Sequence, residues 1–265
     1  MRLLTINSGS SSLRVALYQM DRAPTLVLFG QAERIGQPTS RVQISDADHH
    51  TLLERQGAVP DHDAALHLFF SWLCQERPGL VPQAAGHRIV HGGSAYREPL
   101  TITAALLAAL RNLVPVDPDH LPQAIRAIEA VSTAYPSIPQ VACFDTAFHR
   151  HMPRVAQQYA LPPAFWGDGI RRYGFHGLSY ESIMHQLRTL DRVAANGRII
   201  IAHLGNGASM AAVRDGVSME TTMGFSPTGG LVMGTRSGDL DPGVLLYLLE
   251  EQGMPLPAVK DLLNK

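Results

Sequence analysis

Cysteine is nearly absent: the 265-residue sequence holds only Cys74 and Cys143. No CxxC pair occurs, so no thiolate metal cage or dithiol redox centre is signalled. Each cysteine sits in an apolar run, LFFSWLC and VACFD, and a pair of buried small hydrophobes in a reducing compartment is expected. Net charge is equally scarce. Lys+Arg 22 against Asp+Glu 23 give a formal net charge of -1, so no basic field argues for nucleic acid or an anionic membrane. Long apolar runs are missing too, and no segment is long enough to span a bilayer. The opening MRLLTINSGSSS turns polar too early for a signal peptide, so a cytoplasmic location is expected. What remains is ordinary globular composition, 45% hydrophobic and 17% charged, in a chain long enough for two domains.

Two short apolar runs, Arg2 to Ile6 and Leu13 to Tyr18, flank Asn7-Ser8-Gly9-Ser10-Ser11-Ser12 and predict strands joined by a turn. Leu26 to Glu33 and Arg41 to Ser45 extend them into an antiparallel meander. From Asp61 the period changes, because Ala64, Ala65, Leu68, Phe69 and Trp72 recur at helical spacing. Strands are predicted at Ala84 to Val90 and Gln140 to Phe144, and helices at Ala104 to Asn112 and Leu121 to Tyr135. The scheme restarts after residue 150. Tyr180 to Leu190 reads as a helix and Arg198 to Leu204 as a buried strand. Asp215-Gly216 turns a hairpin between Ser209 to Arg214 and Val217 to Thr221. Pro242 to Gln252 reads as another helix.

Two loops carry candidate chemistry. The Asn7–Ser12 loop is small and hydroxyl-rich, so its backbone can approach a phosphate closely; a plain hairpin turn fits it equally well. His203-Leu204-Gly205-Asn206-Gly207-Ala208-Ser209 is a second loop of the same kind, one in each half of the chain. His176 lies between Gly174 and Gly177, a spacing that suggests close backbone approach. No HExxH or Cys/His metal spacing appears among the 12 histidines.

Taken together, the segments INSGSSSL, GHRIVHGG, CFDTAFH, RRYGFHGLSY, HLGNGASM and MGTRSGDLDP, in this order, resemble the acetate kinase family, which includes propionate and butyrate kinases. The resemblance covers the whole chain. It implies an α/β fold of two related ribonuclease H-like domains of the sugar kinase–actin–Hsp70 type, the second one incomplete. Residues 1–150 would form the N-terminal domain and 151–265 part of a second, nucleotide-binding domain. The implied reaction is reversible phosphoryl transfer from ATP to the carboxylate of a short-chain acid. Arg88 and Arg236 match the family's carboxylate- and phosphoryl-clamping arginines, Asp145 its catalytic aspartate, and His176 a histidine that supports the transition state. Asn7, Ser10, Ser12 and Arg14 match its first phosphate loop, with Asn7 near the metal, and His203, Gly205, Asn206 and Gly207 match its ATP-phosphate loop. Val90, Phe175 and Pro227 match the apolar pocket for the acid's alkyl end. Mg²⁺ or Mn²⁺ is the implied cofactor, and a homodimer without nucleic-acid or membrane partners is the implied assembly.

The roles suit the residues. A phosphoryl group in flight spreads charge over its equatorial oxygens, and fixed donors there carry most of the catalysis. Arginine's planar fork holds two oxygens at once and stays protonated. A carboxylate is already nucleophilic at neutral pH, so Asp145 is expected to orient metal or substrate. The sequence departs from the family at Arg14, where lysine is usual, and at Thr228-Gly229. It departs again at Pro115-Val116-Asp117-Pro118-Asp119-His120, where His120 is read as displaced from the family's histidine. It also stops at Lys265, before the family's late metal-binding glutamate. The alternative expectation is therefore a truncated, catalytically impaired remnant that binds phosphate or nucleotide or requires a second chain.

Overall fold

The computed structural model describes residues 1–264 and resolves the chain into two compact units. The first comprises Met1–His91 and Glu98–Phe144; the second comprises Gly92–Arg97 and the residues from Asp145 onward.

The first unit opens with the meander β1 (Arg2–Ser8), β2 (Ser12–Met20), β3 (Pro24–Glu33), β4 (Arg41–Asp46) and β5 (Thr51–Gln56). Helix α1 (His62–Glu76) follows, capped by the Asp61 carboxylate, which accepts the Ala64 N–H at 2.8 Å. Then come β6 (Ala84–Ile89), the short β7 (Leu100–Thr101), α2 (Ala104–Leu113), α3 (Leu121–Ala134) and β8 (Gln140–Phe144). The strands form one sheet in the order β5-β4-β3-β2-β1-β6-β8-β7. β1, β6 and β8 are mutually parallel, and the meander strands are antiparallel. Parallel neighbours need crossovers that cover the sheet, and helices α1 and α3 supply cover. Leu66, Phe69 and Leu73 of α1 and Ala127 and Val131 of α3 share one buried core with Leu4, Ile6, Val15 and Leu17 of the sheet. Alternate inward residues of β1 and β2 therefore set the register.

The second unit begins with a single 3₁₀ turn, Ala147–His149, then α4 (Arg154–Gln157), α5 (Pro163–Gly167), α6 (Gly177–Leu190) and α7 (Arg192–Ala195). A three-stranded antiparallel sheet follows, β9 (Arg198–Leu204), β10 (Ala208–Arg214) and β11 (Val217–Thr221), in the order β11-β10-β9. Helices α8 (Pro242–Glu250) and α9 (Leu256–Asn264) close the described chain. Tyr180 and Met184 of α6 pack with Ile201, Ala211 and Val213 of the sheet and with Phe148.

Two expectations are corrected. Strand β9 is not a buried strand: only Ile201 is fully buried, Ile199 and His203 are half-buried, and Ile200 is 64% and Leu204 77% exposed. It is the edge strand of a small sheet, and α6 packs on a single face. Nor are the cysteines a buried pair, since Cys74 is exposed and Cys143 half-buried. The buried stripe of α1 runs through Leu66, Phe69, Phe70 and Leu73 and leaves Cys74 outside it. No helix among the described residues is long and apolar enough to cross a membrane.

Candidate active site

In the first unit the site residues gather at the C-terminal ends of the parallel strands. β1 and β6 run side by side, with Ile6 opposite His87, so the next residues, Asn7 and Arg88, fall together. The Arg88 Nη1 donates to the Asn7 Oδ1 at 3.0 Å. Asn7 also faces Arg14 across the hairpin. The loop between them is tied by the Gly9 N–H donating to the Ser12 carbonyl at 2.8 Å. Ser10 and Arg14 are exposed and Ser12 half-buried. Val90 is buried just beyond β6.

Two residues of this loop region were not anticipated. The first residue of α1, His62, is buried, and its Nε2 donates to the carbonyls of Gly9 at 2.8 Å and Ser12 at 3.3 Å. The helix thereby holds the loop in shape. Ser8 is 4% exposed, and its Oγ has no hydrogen-bond partner. A buried hydroxyl without a partner is costly, and this one sits between Asn7 and the loop. At the start of α3, His120 Nδ1 donates to the buried Asp117 Oδ1 at 2.8 Å.

In the second unit Asp145 is 1% exposed, and its carbonyl accepts the Gly177 N–H at 2.9 Å. A Cβ on Gly177 would lie 2.1 Å from that carbonyl oxygen, so only glycine allows α6 to start here. The preceding residue, His176, takes a left-handed conformation with φ 60°. That is uncommon for a residue with a side chain, and it turns the imidazole back toward the sheet. There His176 Nδ1 lies 2.8 Å from Ser209 Oγ, which also contacts the Tyr180 hydroxyl. All three side chains are buried.

The His203 ring stacks on His176, centroids 4.1 Å apart, and its Nδ1 bonds the Ser179 hydroxyl at 2.9 Å. The strand then reverses through Gly205-Asn206-Gly207, where Gly205 N–H donates to the Gly207 carbonyl at 3.1 Å and Asn206 is exposed. Gly207 lies between two cationic or potentially cationic groups. A Cβ there would stand 3.0 Å from His176 Nε2 and 3.3 Å from Arg236 Nη1. The Arg236 Nη1 in turn donates to the Pro227 carbonyl at 3.2 Å. Phe175 is 1% exposed, and its carbonyl accepts from His149 Nε2 at 3.1 Å. Burial holds the His149 pKa down at about 4, opposed by that carbonyl and by the charge of Asp145. Its Nδ1 accepts from the Ser218 hydroxyl at 2.8 Å, so the neutral ring is fully satisfied.

The structure thus brings Asn7 and Arg88 together in one unit, and His176, His203, Gly207, Pro227 and Arg236 together in the other. The sequence profile of the acetokinase family matches residues 2–265. The chain belongs to the acetate kinase family. It is 43% identical to the acetate kinase of Methylocella silvestris over 99% of its own length and 68% of that protein, and 41% identical to the acetate kinase of Thermotoga maritima over 100% and 67%. Among solved structures, it superposes over its full length on a propionate kinase from Francisella tularensis (TM-score 0.91, 33% identity, 68% of that chain). It superposes likewise on the Porphyromonas gingivalis acetate kinase (TM-score 0.85, 35% identity, 67% of that chain). The chain therefore spans about two thirds of the length of these acetate kinase family members. The family's sugar kinase–actin–Hsp70 architecture is the fold seen here.

Proposed function

We propose that the protein carrying this chain transfers the γ-phosphoryl group of ATP to the carboxylate of a short-chain acid, reversibly. One carboxylate oxygen attacks the γ-phosphorus, a new O–P bond forms, and the bond to the β–γ bridging oxygen breaks as ADP leaves. No proton need move, because the nucleophile is already an anion and the leaving group is a phosphate. The protein's task is to position the reactants and to meet the charge that spreads over the equatorial oxygens.

The observation that carries this reading is the place of Gly207. A residue without a side chain lets the backbone come close to His176 Nε2 and Arg236 Nη1, which a Cβ would meet at 3.0 and 3.3 Å, so both donors face the bare backbone of the loop. In the proposed roles Arg236 and His176 donate to the moving phosphoryl group. The backbone of Gly205 to Gly207 and His203 hold the ATP phosphates. In the first unit Arg88, oriented by Asn7, takes the acid's carboxylate. The Asn7–Ser12 loop faces phosphate, with Ser8 Oγ as a donor not otherwise employed. Val90, Phe175 and Pro227 would accommodate the alkyl end. Apolar contacts to an alkyl end separate acids by only ~1–3 kcal/mol per methylene, so acetate and propionate both fall within reach.

The family works with ATP and a divalent metal, and the residues here fit a hard cation. Asp145 is a buried carboxylate, and the Asn7 side-chain oxygen lies at the loop beside the unpartnered Ser8 hydroxyl. Mg²⁺ keeps several waters and takes one or two carboxylates with substrate phosphates, a ligand set to which Asp145 would contribute its carboxylate. Bound there, the ion would neutralise phosphate charge. A homodimer in the cytoplasm completes the proposal.

The reading is tested by incubating the purified protein with ATP, Mg²⁺ and acetate, propionate or butyrate and trapping the acyl phosphate with hydroxylamine. Hydroxamate from acetate or propionate is expected. ATP consumption that depends on a sugar, with no hydroxamate, would replace the acid by a hydroxyl acceptor.

A further inference from the structure

The second unit holds another polar hollow, about 310 Å³ including the part open to solvent, and none of the residues assigned above to phosphoryl transfer lines it. Arg97 and Ser94 border it from the Gly92–Arg97 segment, with Thr146 and Arg150 on one side and Arg171 and Arg172 on the other. We propose that this hollow is a second oxyanion site, taking a small dianion such as inorganic phosphate or a short dicarboxylate.

The charges are unbalanced in a particular way. No carboxylate lines the hollow. Two of its four arginines are already occupied. Arg172 Nη1 donates to the carbonyls of Thr221, Thr222 and Met223, and its Nε lies 3.5 Å from Glu220. Arg150 bonds the Ala147 carbonyl and lies 3.7 Å from Glu181. The other two have no such counter-charge. Arg97 is exposed and forms no ion pair among the described residues. Arg171 is fixed by its face, the guanidinium lying 3.8 Å over the Trp166 ring while Nη2 donates to the Trp166 carbonyl at 3.1 Å. Its Nε is buried and has no acceptor.

A buried, charged N–H without an acceptor is among the more expensive groups a fold can leave behind. Stacking on Trp166 stabilises the cation but does nothing for the Nε hydrogen, which lies in the plane of the guanidinium group. Other donors are also left over. Thr146 Oγ1 accepts the Gly92 N–H at 3.2 Å, which leaves its own hydrogen to give. His149 also borders the hollow but adds no charge, since burial holds it neutral and both its nitrogens are engaged. The complement of two uncompensated guanidinium groups and a hydroxyl donor is an oxygen-rich dianion. The enclosed part of the hollow is small and the rest opens to solvent, which suits a compact oxyanion better than a nucleoside triphosphate.

The experiment is calorimetric titration of the purified protein with inorganic phosphate and, separately, with succinate, in chloride-matched buffer. The Arg236→Ala variant keeps phosphate from being read at the transfer site. Saturable binding of at least one probe is expected, retained in Arg236→Ala and weakened tenfold or more in Arg97→Gln and in Arg171→Gln. Arg97 is exposed, so its variant folds even if Arg171→Gln does not. Preference for phosphate or for succinate identifies which source of dianion the site takes. The proposal is overturned if neither probe binds saturably, if binding is lost in Arg236→Ala, or if Arg97→Gln binds both probes as tightly as the unaltered protein.

Discussion

Ser209 Oγ stands between two partners, His176 Nδ1 at 2.8 Å and the Tyr180 hydroxyl. A hydroxyl has one hydrogen to give, so this contact couples the tautomer of His176 to the orientation of both hydroxyls. If Tyr180 donates to Ser209 and Ser209 to Nδ1, the imidazole carries its hydrogen on Nε2, the nitrogen beside Gly207. That is the form that can donate to a phosphoryl oxygen.

Ser209→Ala should therefore lower kcat by roughly 10- to 100-fold, comparable with loss of a hydrogen bond that orients a charge-stabilising group. Tyr180→Phe should have a smaller effect in the same direction. Nitrogen NMR of the His176 ring distinguishes positioning from general damage. A changed tautomer ratio accompanies the loss if Ser209 acts through His176, and an unaltered ring signal with lost activity refutes that role.

The two glycines of the site predict opposite outcomes. In Gly207→Ala the new methyl meets only side-chain ends, His176 Nε2 and Arg236 Nη1, at 3.0 and 3.3 Å. These can yield by a few tenths of an ångström, so stability should hold while activity falls tenfold or more. In Gly177→Ala the methyl meets the Asp145 carbonyl at 2.1 Å and Phe148 Cβ at 2.8 Å, where backbone must move. A destabilisation on the order of 3 kcal/mol is expected. Thermal unfolding and turnover measured on both variants check the contrast.

Acid should destabilise the protein through two buried histidines. Burial lowers His87 and His149 from 6.5 to about 4, with hydrogen bonds to Gln140 and to the Phe175 carbonyl opposing it. The unfolded chain binds these protons first, so stability is full above pH 6.5 and falls as pH drops toward about 4. Each contributes at most on the order of 3 kcal/mol. His87 Nε2 donates to Gln140 Oε1 at 2.7 Å, and its Nδ1 is buried without a partner, which is the arrangement of a neutral ring. Denaturant unfolding between pH 7 and pH 4.5 should show the decline, with a shallower slope in His87→Gln.

Much of the fold was legible because the first half is patterned at short range. The short apolar runs Arg2 to Ile6 and Leu13 to Tyr18, on either side of a Gly/Ser turn, read directly as the β1–β2 hairpin, and the helical spacing after Asp61 as α1. The strand β9 was legible as a strand but not in its burial. Ile199, Ile200 and Ile201 form a continuous apolar run, and a run cannot reveal that one face lacks cover. The short strands β5 and β7 carry too little pattern to be seen. In the site, Asn7, Arg88, Gly207 and Arg236 were marked by motif. His62 was not, because it reaches the Gly9–Ser12 loop across some 50 residues and nothing local distinguishes it from a helix-start residue. Ser209 lay inside a marked motif, yet its role depends on Tyr180 from another element.

The central claim, that Arg236 meets charge on a phosphoryl group in transfer to a carboxylate, is tested most directly by one comparison. Steady-state acyl phosphate formation is measured at saturating ATP, Mg²⁺ and acetate for the unaltered protein and for Arg236→Ala. Loss of a charge-stabilising donor of this kind costs ~3–4 kcal/mol, so kcat should fall by about 10²- to 10³-fold while the far-ultraviolet spectrum and unfolding midpoint stay close to those of the unaltered protein. Turnover within a few-fold of the unaltered protein, from a folded variant, would contradict the account.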